Sequence, residues 1–233
     1  RSPTVTGVQT CALPIYGKKV LAYSTIANLG LIVACGGVGS APAVWVGIML
    51  IIFHAITKSL MFLCVGTAEH RIGSRDIEDM DGLFEKTPRL ARCMLIGIAG
   101  MLLAPFGMLI SKWASMVAFV DSHNIILIAI ICFGSAATAF YWVKWMGKLT
   151  ATMAHQENVE EDTPGTESFV HVTLTVLTVL AAICFPIVSG YMIIPYLSNT
   201  FVSVDALALS SNDMMIMCVM VAVLRRPDRK SVV

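Results

Sequence analysis

The sequence predicts an all-α protein built as a polytopic membrane helix bundle, and three observations support this prediction. Of its 233 residues, 57% are hydrophobic and only 13% are charged, and the mean hydropathy is +0.79. A soluble domain carries about 25% charged residues. The apolar residues form continuous runs, and about 20 helical residues cross a bilayer core of ~30 Å. The strands of a membrane β-barrel would instead alternate in polarity over about ten residues.

The two ends of the chain need separate treatment. Residues 5–15, VTGVQTCALPI, read as the translation of a common sequencing-library adapter, and residues 228–233, DRKSVV, resemble the adapter in the opposite sense. Segments of this kind are excluded from fold reasoning. We therefore expect residues 1–15 and 228–233 to be adapter-derived and residues 16–227 to form one transmembrane domain, an internal fragment of a longer protein.

Six apolar runs divide this domain. The predicted spans are residues 21–38, 43–68, 90–120, 125–146, 169–196 and 214–224, the last of them truncated. The polar stretch 147–168 is predicted to be a solvated loop.

The third of these spans is too long for a continuous membrane helix, because its 31 residues would measure ~46 Å. Pro105 removes a backbone donor and clashes with the preceding turn, and Gly107 lies two residues further on. We therefore expect a helix break at Pro105 and Gly107. Broken helices at membrane depth occur where they line a watery cavity or are covered by protein.

The basic residues fall on one side of the membrane if each span crosses once. Eleven lie on the side where the first span begins and none on the other: Lys18, Lys19, Arg71, Arg75, Lys86, Arg89, Arg92, Lys144, Lys148, Arg225 and Arg226. Short loops rich in Lys and Arg stay in the cytoplasm. The pattern therefore predicts that the Lys18/Lys19 end and the connection 69–92 are cytoplasmic.

That connection is interpreted as a solvated loop or, alternatively, a docking surface for a partner subunit. Because the basic residues form no patch, we expect no nucleic-acid partner.

Two further basic residues, Lys58 and Lys112, lie inside predicted spans. A charge at mid-membrane costs about 2.5 to 3.5 kcal/mol on insertion scales, so such residues are usually buried in the bundle and functional. His54 precedes Lys58 by one helical turn, which places both side chains on one face. Burial disfavours an ammonium, and histidine titrates near neutral pH. We therefore predict that Lys58, Lys112 and His54 form a proton relay.

Structural alternatives remain open for all three residues. Lys58 would snorkel to the headgroups or pair with a carboxylate. His54 would be a packing histidine whose hydrogen bonds are satisfied, and Lys112 would lie at the interface of a kinked packing helix.

The cysteines and the missing motifs argue against redox chemistry in this chain. Six cysteines lie outside the adapter-derived ends, in or beside apolar runs and without a CxxC pair. We interpret them as free apolar thiols, since Cys buries readily as a small hydrophobe. No glycine-rich phosphate loop or iron–sulfur cysteine spacing occurs. We therefore expect no cofactor, no metal site and no catalytic site.

Three segments resemble one family of membrane proteins. They are KKVLAYSTIANLGLI at residues 18–32, HAITKSLMFLCVG at 54–66 and GMLLAPFGMLISKW at 100–113. In this combination and order they resemble the antiporter-like membrane subunits of respiratory complex I, the related subunits of energy-converting hydrogenases and formate hydrogenlyase, and the large subunits of Mrp sodium/proton antiporters. The segment EHRIGSRDIEDMDGL at 69–83 is most similar to the hydrogenase-associated branch.

The resemblance implies two inverted five-helix repeats, each with a broken helix, of which this chain holds the second. It implies that His54 and Lys58 belong to the central relay and that Lys112 is the broken-helix lysine leading to the outer exit. The implied setting is a multi-pass protein of a prokaryotic inner membrane. Its implied partners are other membrane and peripheral subunits, and the transported ion is the proton, with sodium as the alternative.

Three functions remain open at this point. The first is a proton-translocating, non-redox subunit of a redox-driven complex. That complex would be similar either to NADH:quinone oxidoreductase or to an energy-converting hydrogenase. The second is an Mrp-type sodium/proton antiporter subunit. The third is a structural membrane anchor that holds a peripheral enzyme through residues 69–92 and moves no ions.

Overall fold

The computed structural model describes residues 16–102, 107–151 and 164–201, and the regular elements in these ranges are helices. They are α1 (Gly17–Val38), α2 (Ala41–Ile72), α3 (Leu83–Lys86), α4 (Pro88–Leu102), α5 (Met108–Asp121), α6 (Ile125–Thr150), α7 (Gly165–Val188) and α8 (Ile194–Thr200). A 3₁₀ turn spans Glu78–Met80, and a π-helical segment, Ser189–Ile193, joins α7 to α8. The prediction of an all-α polytopic bundle is confirmed.

Within the described ranges, four helical stretches are long and apolar enough to cross a membrane: α1, α2, α6 and the continuous stretch Gly165–Thr200. The helices at the first, second, fourth and fifth predicted spans extend beyond the apolar runs by up to four residues at an end. The helices are longer because their backbone hydrogen bonds continue into the polar flanking residues, whereas hydropathy marks only the apolar part of each helix. The predicted span 214–224, most of the predicted loop 147–168 and the ends predicted to be adapter-derived lie outside the described residues.

Helix α2 is the central helix of the bundle, since it packs against α1, α4, α5 and α7. In its most apolar window 56% of the residues are buried, against 11% to 22% in the other three spans. Its first turn is capped by the Ser40 side chain, which accepts a hydrogen bond from the backbone N–H of Ala43. Its last turn closes on Gly73, whose left-handed conformation lets its N–H reach the carbonyl of Glu69.

Two glycines bring α4 close to its neighbours. A Cβ atom at Gly97 would overlap the side chain of Met61 on α2, and one at Gly100 would crowd Thr57 on α2 and Thr178 on α7. Small residues at such positions let membrane helices approach closely. Helix α4 therefore lies against both α2 and α7.

One end of the bundle collects ion pairs and ties the helix ends together. Glu69 at the end of α2 pairs with Lys18 of α1 at 2.5 Å and with Arg75 at 2.6 Å. Lys148 near the end of α6 pairs with Glu78 at 2.8 Å and with Asp81 at 2.9 Å. These contacts place the start of α1, the end of α2, the end of α6 and the connection between α2 and α4 at the same end.

The connection between α2 and α4 is packed against the bundle, which differs from the expectation of a solvated loop. Ile77, Met80 and Leu83 are all buried. Their spacing of three residues gives this mixed-charge segment one apolar face, while Glu78 remains partly exposed. Hydrogen bonds from Lys144 and then Lys148 hold the pKa of Glu78 below its ordinary value. The ion pairs of Glu78 with these lysines therefore weaken only in acid, where the carboxylate becomes protonated.

The third predicted span is present as two helices, α4 and α5, that are separated at residues 103–107. Pro105 lies outside the described residues. Gly107 directly precedes α5 with φ +85°, and a Cβ atom there would overlap the ring of Phe53 on α2. The carbonyl of Gly107 accepts hydrogen bonds from the backbone and the hydroxyl of Ser111, at 2.9 Å each. Glycine is therefore required at this position by its backbone conformation and by its contact with Phe53.

We predict that Gly107→Ala destabilises the full-length protein by on the order of 2 to 4 kcal/mol, since it adds left-handed strain to overpacking against Phe53. The measurement is thermal unfolding of the purified protein in detergent, followed by tryptophan fluorescence. Gly134→Ala on α6 is the control, because a Cβ atom there meets nothing within 4 Å. Equal melting temperatures for the two variants would contradict the prediction.

Candidate functional site

The Lys58 ammonium is held inside the bundle by groups of α1. The side chain is only 5% exposed. Its Nζ donates a hydrogen bond to the carbonyl of Leu21 at 3.0 Å and a second one to the hydroxyl of Ser24. The Ser24 hydroxyl in turn donates to the same Leu21 carbonyl at 3.0 Å. Lys58 therefore bonds to the neighbouring helix and has no acidic partner among the described residues, which differs from the alternatives of snorkelling and carboxylate pairing.

Helix α6 covers the other side of this ammonium with an aromatic surface. The Nζ of Lys58 lies 5.4 Å from the ring centroid of Trp142, a distance at which a cation is attracted to an aromatic face. Trp142 stacks on Trp145 with a centroid separation of 5.6 Å and an interplanar angle of 6°. Both tryptophans are fully buried. The amine is thus enclosed between α1 and α6.

His54 lies one turn before Lys58 on α2 and is 6% exposed. Neither ring nitrogen has a hydrogen-bond partner among the residues that the structure describes. Its neighbour in sequence, Phe53, contacts Gly107 at the helix break. The imidazole is therefore buried one turn from Lys58, and neither of its nitrogens is hydrogen-bonded to a described residue. This differs from the alternative of a packing histidine with satisfied hydrogen bonds.

Lys112 lies on the second turn of α5 and is half-buried. It lines a cleft of ≈ 330 Å³ between α1, α5 and α6. The structure therefore places His54 and Lys58 one turn apart on α2 and places Lys112 on α5, in a cleft bordered by α1 and α6. No hydrogen bond links the three side chains directly within the described residues.

The sequence analysis missed the polar face of α1 as part of this site. Ser24 and Asn28 are one turn apart and each is 4% exposed. The Asn28 side-chain nitrogen donates to the Ser24 carbonyl at 2.7 Å, and Asn28 lines the same cleft as Lys112. The polar residues within AYSTIAN were the available signal, since buried polar groups in a membrane helix need partners.

A second polar cluster joins α7 to α2 near the ion-paired end. The Thr67 hydroxyl donates to Glu167 at 3.2 Å and lies 3.4 Å from Nε2 of the buried His171. These residues line a separate cavity of ≈ 410 Å³. The sequence analysis did not single them out, because a lone His near the start of an apolar run is not distinctive.

The cysteines of the described residues are free thiols, and Cys35, Cys64 and Cys93 are buried. The Cys35 thiol donates to the Ser115 hydroxyl at 3.9 Å, which is a contact between α1 and α5. No group of three or more His, Cys, Asp or Glu side chains suited to a metal ion occurs in the described ranges.

These features define a multi-pass membrane protein whose helices enclose two amines. The family described as "NADH:quinone oxidoreductase/Mrp antiporter, TM" matches residues 10–138, which is more than half of the chain. The chain belongs to this family, and the resemblance found in the sequence is confirmed.

The curated relatives include both oxidoreductase subunits and an antiporter subunit. F(420)H(2) dehydrogenase subunit L of Methanosarcina mazei is 39% identical over 93 residues, covering 39% of this chain and 14% of the relative. The putative antiporter subunit mnhA2 of Staphylococcus aureus is 28% identical over 168 residues, covering 57% and 21%. NADH-ubiquinone oxidoreductase chain 5 of Paracentrotus lividus is 33% identical over 90 residues, covering 38% and 14%. The chain thus spans about a fifth or less of these relatives.

A solved structure has the same fold. A chain of the Mrp complex from Dietzia sp. DQ12-45-1b superposes with a TM-score of 0.64 at 16% sequence identity, covering 78% of this chain and 44% of that chain. At this identity the likeness establishes the fold alone.

The contact between Ser24 and Lys58 generates a prediction about stability. Ser24→Ala removes an acceptor from a buried ammonium and should cost about 1 to 3 kcal/mol of unfolding free energy. In the Lys58→Met background the same change should be nearly neutral, because no ammonium remains to be satisfied. A double-mutant cycle on the purified full-length protein, unfolded in detergent, measures this coupling. The same cost of Ser24→Ala in both backgrounds would show that the contact carries no energy.

Proposed function

We propose that this chain is part of a proton-translocating membrane subunit of a redox-driven complex, in which Lys58, His54 and Lys112 relay protons. The observation that carries the proposal is the enclosure of Lys58 between α1 and α6, with the neighbouring His54 free of hydrogen-bond partners in the described residues. A fixed structural cation would be expected to have an acidic partner, since unpaired buried charges are expensive. Lys58 instead has neutral acceptors, which are compatible with both its charged and its neutral form.

Electrostatic repulsion would couple the two lysines. Both side chains are positively charged when protonated, and interactions between charges are strong where the dielectric is low. Uptake of a proton at one amine therefore favours release at the other. A redox event in a partner subunit would act on this pair by changing the local field. The break between α4 and α5 resembles the discontinuous membrane helices that border ion sites in transporters.

The proposed setting is a prokaryotic inner membrane, with the ion-paired end of the bundle in the cytoplasm. The described basic residues outside the spans, from Lys18 to Lys148, lie at or beside that end, which agrees with the tendency of Lys and Arg to remain cytoplasmic. The proposed partners are other membrane and peripheral subunits. Two of the relatives, F(420)H(2) dehydrogenase subunit L and NADH-ubiquinone oxidoreductase chain 5, are named as subunits of oxidoreductases, which supports redox partners.

A second candidate is a sodium/proton antiporter subunit. It is favoured by the likeness to the putative antiporter subunit of Staphylococcus aureus, which extends over 57% of this chain. Gene neighbours distinguish the two candidates: hydrogenase or quinone-reductase subunits support the first, and a run of small antiporter genes supports the second.

We predict that Lys112→Ala and Lys58→Met in the full-length subunit each lower proton translocation at least about tenfold, because loss of one relay amine raises the barrier by ~1.4 kcal/mol or more. Electron transfer by the assembled complex should be at least partly retained. The readout is a fluorescent pH indicator in membrane vesicles energised by the electron donor of the complex.

Lys86→Met is the matched control for these variants, because Lys86 ends α3 outside the spans. Full proton translocation by both relay variants would refute the relay and favour the structural anchor. Translocation driven by a sodium gradient without an electron donor would instead favour the antiporter.

The orientation has a separate test based on two serine-to-cysteine changes in a Cys132→Ser background. Ser122 follows α5 at the end opposite the ion pairs, whereas Ser74 follows α2 at the ion-paired end. In intact cells a membrane-impermeant maleimide should label Ser122→Cys, and it should label Ser74→Cys only after permeabilisation. The reverse labelling pattern would invert the proposed orientation.

A further inference from the structure

We infer that Ser24 and Asn28 of α1 are positioning residues that hold Lys58 and direct its proton exchange toward the cleft of Lys112. The inference rests on the proposed function and adds residues to it. The segment AYSTIAN of α1 carries Ser24 and Asn28 at buried positions, where apolar packing alone would not require polar side chains.

The first contact fixes the Lys58 amine. Its Nζ bonds to the Ser24 hydroxyl and to the Leu21 carbonyl. The hydroxyl accepts from the ammonium and donates to that carbonyl, so both groups of the contact are satisfied. These bonds draw the long lysine side chain across to α1, which is also one wall of the cleft.

The second contact extends the polar face toward Lys112. The Asn28 amide nitrogen donates to the Ser24 carbonyl at 2.7 Å, which fixes the amide one turn further along α1. Asn28 and Lys112 line the same cleft, whose wall also includes Ser135 and Thr138 of α6. Ser24, which bonds to Lys58, and Asn28, which lines the cleft of Lys112, thus lie one turn apart on the same face of α1.

The proton balance of the exchange is simple. A proton leaves the Lys58 ammonium, which becomes a neutral amine, and reaches the neutral amine of Lys112, which becomes an ammonium. Water carries it through the cleft, whose ≈ 330 Å³ is room for several molecules. The amide of Asn28 does not itself change protonation. Its nitrogen donates to the Ser24 carbonyl, so its oxygen would be the acceptor offered to water in the cleft.

Thr25 provides a matched control on the same helix. Its hydroxyl donates to the Leu21 carbonyl at 2.9 Å, as the hydroxyl of Ser24 does, but it has no contact with Lys58 in the described structure. A general effect of removing a hydroxyl from α1 would therefore appear in Thr25→Ala as well as in Ser24→Ala.

The test measures proton translocation by the full-length subunit in its assembled complex, in vesicles with a pH indicator. Ser24→Ala and Asn28→Leu should each lower the rate about tenfold, the effect of losing one buried hydrogen bond. Ser24→Thr and Asn28→Gln should restore most of the rate, and Thr25→Ala should leave it unchanged.

A double variant separates a relay from structural damage. If both residues serve the same transfer step, Ser24→Ala with Asn28→Leu should be about tenfold slower, like either single variant, whereas independent defects would multiply to about a hundredfold. A hundredfold loss, wild-type rates in both single variants, or a loss in Thr25→Ala equal to that in Ser24→Ala would overturn the inference.

Failure of this inference differs from failure of the proposed function. If Lys58→Met abolishes translocation while Ser24→Ala and Asn28→Leu do not affect it, the relay function stands and the positioning role is wrong. If Lys58→Met translocates protons at the wild-type rate, the proposed function itself fails.

Discussion

Keeping an ammonium inside a membrane bundle is the constraint on which the arrangement of helices depends. Lys58 is on the most buried helix, and its charge has to be met by groups of other helices. Helix α1 supplies a carbonyl and a hydroxyl, and α6 supplies the face of Trp142. Since each of these groups acts only at short range, α1 and α6 have to lie close to α2 at this depth.

The helix break is placed by packing against the same central helix. Gly107 leaves room for the ring of Phe53, which also packs against Phe185 of α7 with ring centroids 6.0 Å apart. Phe185 in turn meets the ring of Trp45 near the start of α2. Because Phe53 directly precedes His54, these contacts hold the break next to the buried imidazole. The interrupted backbone and the titratable side chains are thereby kept together.

The two ends of the bundle are fastened by different chemistry. Ion pairs of Glu69, Glu78 and Lys148 join the helices at one end, where water screens the charges and each pair contributes little alone. Away from that end, the indole of Trp45 donates to the Ser189 hydroxyl at 2.8 Å in the π-helical segment. Between these ends the described helices are held by apolar packing and by scattered polar contacts, among them those of Lys58 with α1 and of Cys35 with Ser115.

Several features of the protein were determined by the sequence itself. The lengths of its apolar runs predicted a membrane helix bundle, and an overlong run predicted an interruption near Gly107. The spacing of His54 and Lys58 placed both on one helix face. These predictions succeed because hydropathy and helical spacing are local properties of the chain. The assignment of basic residues to the cytoplasm is also local in origin and remains a prediction.

Only the tertiary structure decided which groups meet these residues. Ser24 and Lys58 are 34 positions apart, and nothing in either segment specifies their contact. The same holds for the contacts of Trp142 and Asn28 and for the contact between Gly107 and Phe53. It also holds for the connection between α2 and α4, whose Ile77 packs on the bundle. The physical reason is that contacts between helices depend on how whole surfaces fit, and this is fixed by many side chains at once rather than by any short stretch of sequence.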